Sequence, residues 1–196
     1  TAYEIKECDW SSDVCSSDLA LVIAICALLY YWCFYLNKFI FDELEFSFGV
    51  NWIFIPSGLQ LVMVLVAIEE AAIGIALAAC LIGFDNYQLN SLVETLITAI
   101  IAGGSPLLAR KICLDFLGVD KELFKLNPKS IFFMSIVFAL LSSTLHQLWY
   151  SYNGVTQQFA QSLAVMAIGD FLGTALLLSV ISSASKLMHR LTSPRL

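Results

Sequence analysis

Residues 53–84 read IFIPSGLQLVMVLVAIEEAAIGIALAACLIGF, 32 residues whose only charges are the adjacent acids Glu69 and Glu70. As a single helix this stretch would reach about 48 Å at 1.5 Å per residue, well past the hydrocarbon core of a bilayer. It would also hold two carboxylates near its middle, where each charge costs about 3 kcal/mol to insert. A hairpin of two short helices avoids both penalties. Its turn carries Glu69 and Glu70 into water, and its first helix opens at Pro56-Ser57-Gly58, where proline forfeits no needed donor.

The whole chain has the same character. Of its 196 residues, 59% are apolar and 13% charged, with mean hydropathy +0.82, against roughly 45–50% apolar and about 25% charged in a soluble domain. A chain of this size buries only about two thirds of its surface on folding, so much of the remainder must face lipid. Disorder, nucleic-acid binding and a disulfide-stapled secreted scaffold are excluded by the same balance. The ten Lys and Arg form no basic run, and the six Cys lie mostly inside apolar stretches.

Residues 1–18 stand apart, with five acids and one base, so that most of the formal charge of −6 is local. The run SSDVCSSDL, Ser11 to Leu19, nearly repeats an SSD tripeptide and resembles translated sequencing-adapter read-through, and the first methionine is Met63. The segment reads as non-native sequence or as a polar cytoplasmic lead, and is set aside from the fold. Residues 19–190 then form a transmembrane helical domain, and 191–196 a cytoplasmic tail.

About six spans make up this all-α, polytopic bundle. The first is Leu19 to Asn37, with Tyr30, Tyr31, Trp32 and Tyr35 placed as an interfacial aromatic belt. An interfacial segment carries Asp42, Glu43, Glu45, Phe46, Phe48 and Trp52. After the hairpin, a fourth span covers Ser91 to Ala109, broken near its end by Gly103-Gly104-Ser105-Pro106 and followed by an amphipathic piece to Gly118. The fifth is Ser130 to Tyr150 and the sixth Phe159 to about Ser185. Bases cluster at Arg110, Lys111, Lys121, Lys125 and Lys129 and again at Lys186, Arg190 and Arg195. The positive-inside rule therefore places both termini in the cytoplasm of a bacterium, with the chain in its inner membrane.

Polar side chains inside lipid are costly and face the bundle interior. Asp170 lies deep in the sixth span, His146 and Gln147 one turn inside the outer end of the fifth, Glu94 at the start of the fourth and Gln60 early in the second. All fall in the outer half. They can line one ligand pocket, to which Pro56, Ser57 and Gly58 add freed backbone groups. Asp170 can equally pair with His146 or accept from hydroxyls and simply hold helices together. Gly74 and Ala78, and Gly169 and Gly173, have the small-xxx-small spacing of close helix packing. Cys26, Cys33, Cys80 and Cys113 form no CxxC pair and read as small apolar fillers. With His146 and His189 assigned to opposite sides, no metal site and no cofactor is expected. Phosphate-loop, GxSxG, HExxH and triad patterns are absent, so the chain reads as non-catalytic.

Several short motifs carry a family likeness: Phe54-Ile-Pro-Ser-Gly58 leading into Leu59-Gln-Leu-Val-Met-Val, Gly74-Ile-Ala-Leu-Ala, His146-Gln-Leu-Trp149, and Gly169-Asp-Phe-Leu-Gly173. Together, over Asn51 to Ser185, they resemble MASE-type membrane-associated sensor domains. The resemblance implies an input module for a small ligand or membrane signal, coupled to a kinase or cyclic-dinucleotide enzyme, fused or separate. Pro56-Ser57-Gly58 and Gly169-Asp170-Gly173 become its site-forming elements. Six spans depart from the family's usual eight, which truncation at the amino end would explain, and no output domain precedes Leu196. Another reading is the substrate-capture subunit of an energy-coupling-factor vitamin transporter, which would dock its partners on small-residue faces; a ligand-free structural protein is a third. The expected partners are lipid, a small ligand, an output domain and further copies of the chain, with no nucleic acid.

Overall fold

The computed structural model describes the backbone of residues 13–85, 91–116 and 128–192, and the side chains of 18–85, 91–115 and 129–188. The bases Lys121, Lys125, Arg190 and Arg195, together with His189, lie outside the described side chains. Helix α1 (Asp13–Phe41) leads through a 3-10 turn at Asp42–Leu44 into an antiparallel hairpin, β1 (Glu45–Ser47) and β2 (Val50–Asn51). Then follow α2 (Ile55–Asp85), α3 (Leu92–Phe116), α4 (Pro128–Tyr152) and α5 (Phe159–Thr192). Helix α1 starts at Asp13, so the end of the polar lead shares its helix instead of stopping short of Leu19. Among the described residues, five helices are long and apolar enough to cross a membrane. The protein is an all-α membrane protein, with large apolar side chains such as Leu28, Phe39 and Val66 turned outward.

Five such helices replace the six spans expected, because residues 53–84 are carried by one element, α2. That element does not run straight. Helical backbone breaks at Ala67 (φ −118°, ψ 19°) and Ile68 (φ 32°, ψ −97°), the latter a left-handed conformation that costs a β-branched residue roughly 1–3 kcal/mol. An unbroken helix of 31 residues would hold its ends about 45 Å apart. Here the Ile55 amide donates to Asn37 Oδ1 at 2.9 Å, while Asp85 Oδ2 accepts from the Tyr35 hydroxyl at 2.9 Å. The two partners sit two residues apart on α1, so α2 folds back on itself at Ala67–Ile68. Glu69 is exposed beside the bend.

The fold-back orders the bundle. Helix α1 runs against the first limb of α2, with Asn37 beside Ile55 and Tyr30 beside Gln60, and along the second, with Cys26 against Gly74 and Tyr35 at Asp85. Helix α5 runs along the first limb, Gly173 meeting Phe54 and Leu177 meeting Gly58. The starting part of α1 and the far part of α5 therefore lie at the end of the bundle opposite the β-hairpin. One apolar core joins α1, α2 and α3 through Tyr30, Val64, Ile75 and Ala102. A second joins α2, α3 and α4 through Leu61, Ala109, Cys113 and Phe138.

Helix α3 passes without interruption through Gly103-Gly104-Ser105-Pro106, where a break was expected. The glycine serves packing and the proline is compensated. A Cβ at Gly103 would strike the Ala72 carbonyl, so the missing side chain lets α2 and α3 touch backbone to backbone. Pro106 removes the amide that would bond the carbonyl four residues back, and that carbonyl, Ala102 O, instead accepts from Gln60 Nε2 at 3.2 Å.

Glycines at contacts and in open space make a matched test. Gly173→Ala should destabilise by roughly 1–3 kcal/mol through overpacking, because its Cβ would collide with the Phe54 carbonyl. Gly104→Ala, which meets nothing within 4 Å, should be neutral or stabilise by up to about 1 kcal/mol; thermal unfolding of both variants in detergent reads the difference.

Candidate functional site

A cavity of about 170 Å³ opens at the β-hairpin end of the bundle, with all five helices and the hairpin contributing to its wall. Its position follows from local chemistry. The chain between β2 and α2 is non-helical, and such backbone is tolerated at membrane depth only when protein covers it. Gly169 and Gly173 provide the cover: a Cβ at Gly169 would overlap the Asn51 carbonyl and one at Gly173 the Phe54 carbonyl, so α5 can accept the connecting segment directly against its own backbone. The Phe54 amide donates to the Gly169 carbonyl at 3.1 Å. Asn37 completes the junction, its amide group donating to Ile53 O while its carbonyl oxygen accepts from the Ile55 amide.

Asp170 lies between the two glycines, and the seat they form fixes its place in the wall. The Ser142 hydroxyl donates to its carboxylate. Its other oxygen, Oδ2, is buried with no hydrogen-bond partner among the described residues, and so is the Thr98 hydroxyl, also on the wall. His146 points Nδ1 at the Ser142 carbonyl, 2.9 Å away. A carbonyl only accepts, so Nδ1 carries a proton, and in the neutral imidazole Nε2 is left as an acceptor. Asp170 and His146 thus do not pair; Ser142 stands between them, its hydroxyl serving one and its carbonyl the other.

Of the residues singled out from the sequence, Gln60, His146 and Asp170 meet on this cavity, and Pro56, Ser57, Gly58, Glu94 and Gln147 do not line it. The Ser57 hydroxyl lies 2.7 Å from the carbonyls of both Phe54 and Asp170, and a Cβ on Gly58 would sit 2.8 Å from Thr174 Cα, so this element packs α2 onto α5. Gln147 is fully buried beside Met166, and Glu94 is half-buried near the start of α3. Gln60 serves as a tie: its amide nitrogen donates to Tyr30 OH and to Ala102 O, both at 3.2 Å. Gly74 and Ala78 are buried within the chain, Gly74 against Ile23 and Cys26.

The aromatic part of the wall, including Tyr30, Phe34, Phe48 and Tyr150, was not legible as a site. Tyr30 reads as part of an interfacial belt and Phe48 as part of an interfacial segment, and nothing local says which aromatic side chains turn inward. At the mouth stand the exposed Lys38, Asp42 and Glu45. Among the described residues no group of three His, Cys, Asp or Glu side chains is placed to hold a metal ion. No family model matches the chain, and neither the curated proteins nor the solved structures contain a match.

The tie at Gln60 can be measured directly. Gln60→Leu should cost about 1–3 kcal/mol by stranding the Ala102 carbonyl, and Pro106→Ala should be milder. In the double variant the alanine amide takes over that carbonyl, so the combined loss should fall below the sum of the two in a double-mutant cycle of unfolding free energies.

Proposed function

We propose that the chain is a membrane sensory module that binds a small ligand in the hairpin-end cavity and passes the signal along α5 to a cytoplasmic output domain. In this reading the cavity faces outward across a bacterial cytoplasmic membrane and both termini face the cytoplasm. One observation carries the reading: α5 supplies Asp170 to the cavity and continues as one helix to Thr192. From Asp170 to Met188 it covers about 27 Å, and its turns from Val180 to Met188 are exposed.

A ligand shifts a conformational equilibrium only by its differential affinity for the two states. The contact most sensitive to such a shift is the α2–α5 junction, where the Ser57 hydroxyl and the Thr174 hydroxyl, at 2.8 Å, share the Asp170 carbonyl. Ligand pulling on the Asp170 carboxylate acts on the same residue whose carbonyl anchors α2. Substrate capture for a transporter calls for small-residue faces open to partners, and Gly74, Ala78, Gly169 and Gly173 are all buried within the chain.

The test is a chimera in which a cyclic-dinucleotide synthase follows Leu196. Asp170→Asn and His146→Ala should each change its output at least about threefold, while Leu108→Ala on the exposed face of α3 should not. Output that ignores both cavity variants, in protein that reaches the membrane normally, rejects the sensory reading.

A further inference from the structure

We infer that the ligand of this cavity is a small organic cation, an ammonium group on an aromatic or similarly compact apolar body; the inference rests on the sensory reading above and names its ligand class. Three further side chains of the cavity wall can accept a hydrogen bond, beside the phenol hydroxyls of Tyr30 and Tyr150, which can donate as well as accept. Asp170 Oδ2 is buried without a partner among the described residues and accepts when the group is ionised, His146 Nε2 accepts in the neutral imidazole, and the Thr98 hydroxyl can accept as well as donate. The amide of Gln60 is already committed to Tyr30 and Ala102, and that of Asn37 to the start of α2.

Charge points the same way. A carboxylate at this depth is costly unless a positive partner joins it. Inside the mouth the described residues of the cavity wall include no base other than His146, and the mouth itself sets Asp42 and Glu45 against Lys38. An anion would meet Asp170 with only Lys38, out at the mouth, to offset it. A cation is drawn in by the acidic rim and neutralises the carboxylate.

The walls specify the rest of the molecule. Tyr30, Phe34, Phe48 and Tyr150 line the same cavity as Asp170, and ring faces attract ammonium groups. A cavity of about 150 Å³ holds a benzene ring. The 170 Å³ here therefore suits one ring bearing a short ammonium arm.

Calorimetric titration of the full chain in lipid nanodiscs at pH 7 tests the assignment with three probes of matched shape: phenethylammonium, 2-phenylethanol and phenylacetate. Phenethylammonium should bind at least tenfold more tightly than the other two. Asp170→Asn should weaken it at least tenfold, and Asp42→Asn about twofold, with the smaller effect vanishing in high salt. Should Asp170→Asn fail to fold, Thr98→Val provides the second reading, with an expected loss of about threefold.

Equal binding of 2-phenylethanol overturns the cation assignment while leaving a ligand-sensing cavity in place. Phenethylammonium binding that is indifferent to both Asp170→Asn and Thr98→Val overturns it too. If phenethylammonium binds as expected but does not move the output of the chimera, the cation site stands and the sensory reading fails.

Discussion

Backbone meets backbone where the Asn51–Phe54 segment lies on α5, and the absence of side chains at Gly169 and Gly173 is what permits it. Much of the hairpin end depends on that contact. It gives extended chain a partner at a depth where water cannot provide one. It holds the β-hairpin over the end of the bundle and sets the point from which α2 starts. Asp170 lies between the glycines, so the packing device and the most chemically distinctive side chain of the cavity share one helical turn.

Elsewhere the bundle solves the same problem with side chains. Pro106 strips a hydrogen bond from α3, and Gln60 replaces it from α2 while also reaching Tyr30 on α1. One amide thereby couples three helices beside the cavity. Asn37 does comparable work at the start of α2, satisfying an amide and a carbonyl that no helix or strand serves. In lipid an unsatisfied polar group costs several kcal/mol, so such polar residues act as fasteners whose number is limited and whose positions are exact requirements of the backbone. The groups left over, at Asp170 and Thr98, differ from the fasteners in having no hydrogen-bond partner among the described residues.

Within this frame the cavity is an ordinary consequence of folding α2 back. Its two limbs, with α1 and α3 alongside, enclose volume that a straight helix would leave to lipid. In the proposed function, binding in that volume acts on α5, the helix that leaves the bundle at the other end, through the α2–α5 junction at Ser57, Asp170 and Thr174.

Residue types and spacing alone determined that the chain lives in a membrane, that it is helical, and that residues 53–84 bend beside Glu69-Glu70, because hydropathy and the cost of buried charge are local properties of sequence. They also marked Gln60, His146 and Asp170, since a polar residue in an apolar run stands out wherever it lies. The tertiary structure alone decided the rest. It assigned Pro56-Ser57-Gly58 to packing, kept α3 whole through Gly103–Pro106, and turned Tyr30 of the supposed interfacial belt into cavity wall. Each of these depends on a partner distant in sequence: Gln60 for Pro106, Ala72 for Gly103, Phe54 for Gly173. A proline's missing hydrogen bond or a glycine's bare face is visible in one dimension, but what fills it is fixed only when helices far apart in the chain are brought into contact.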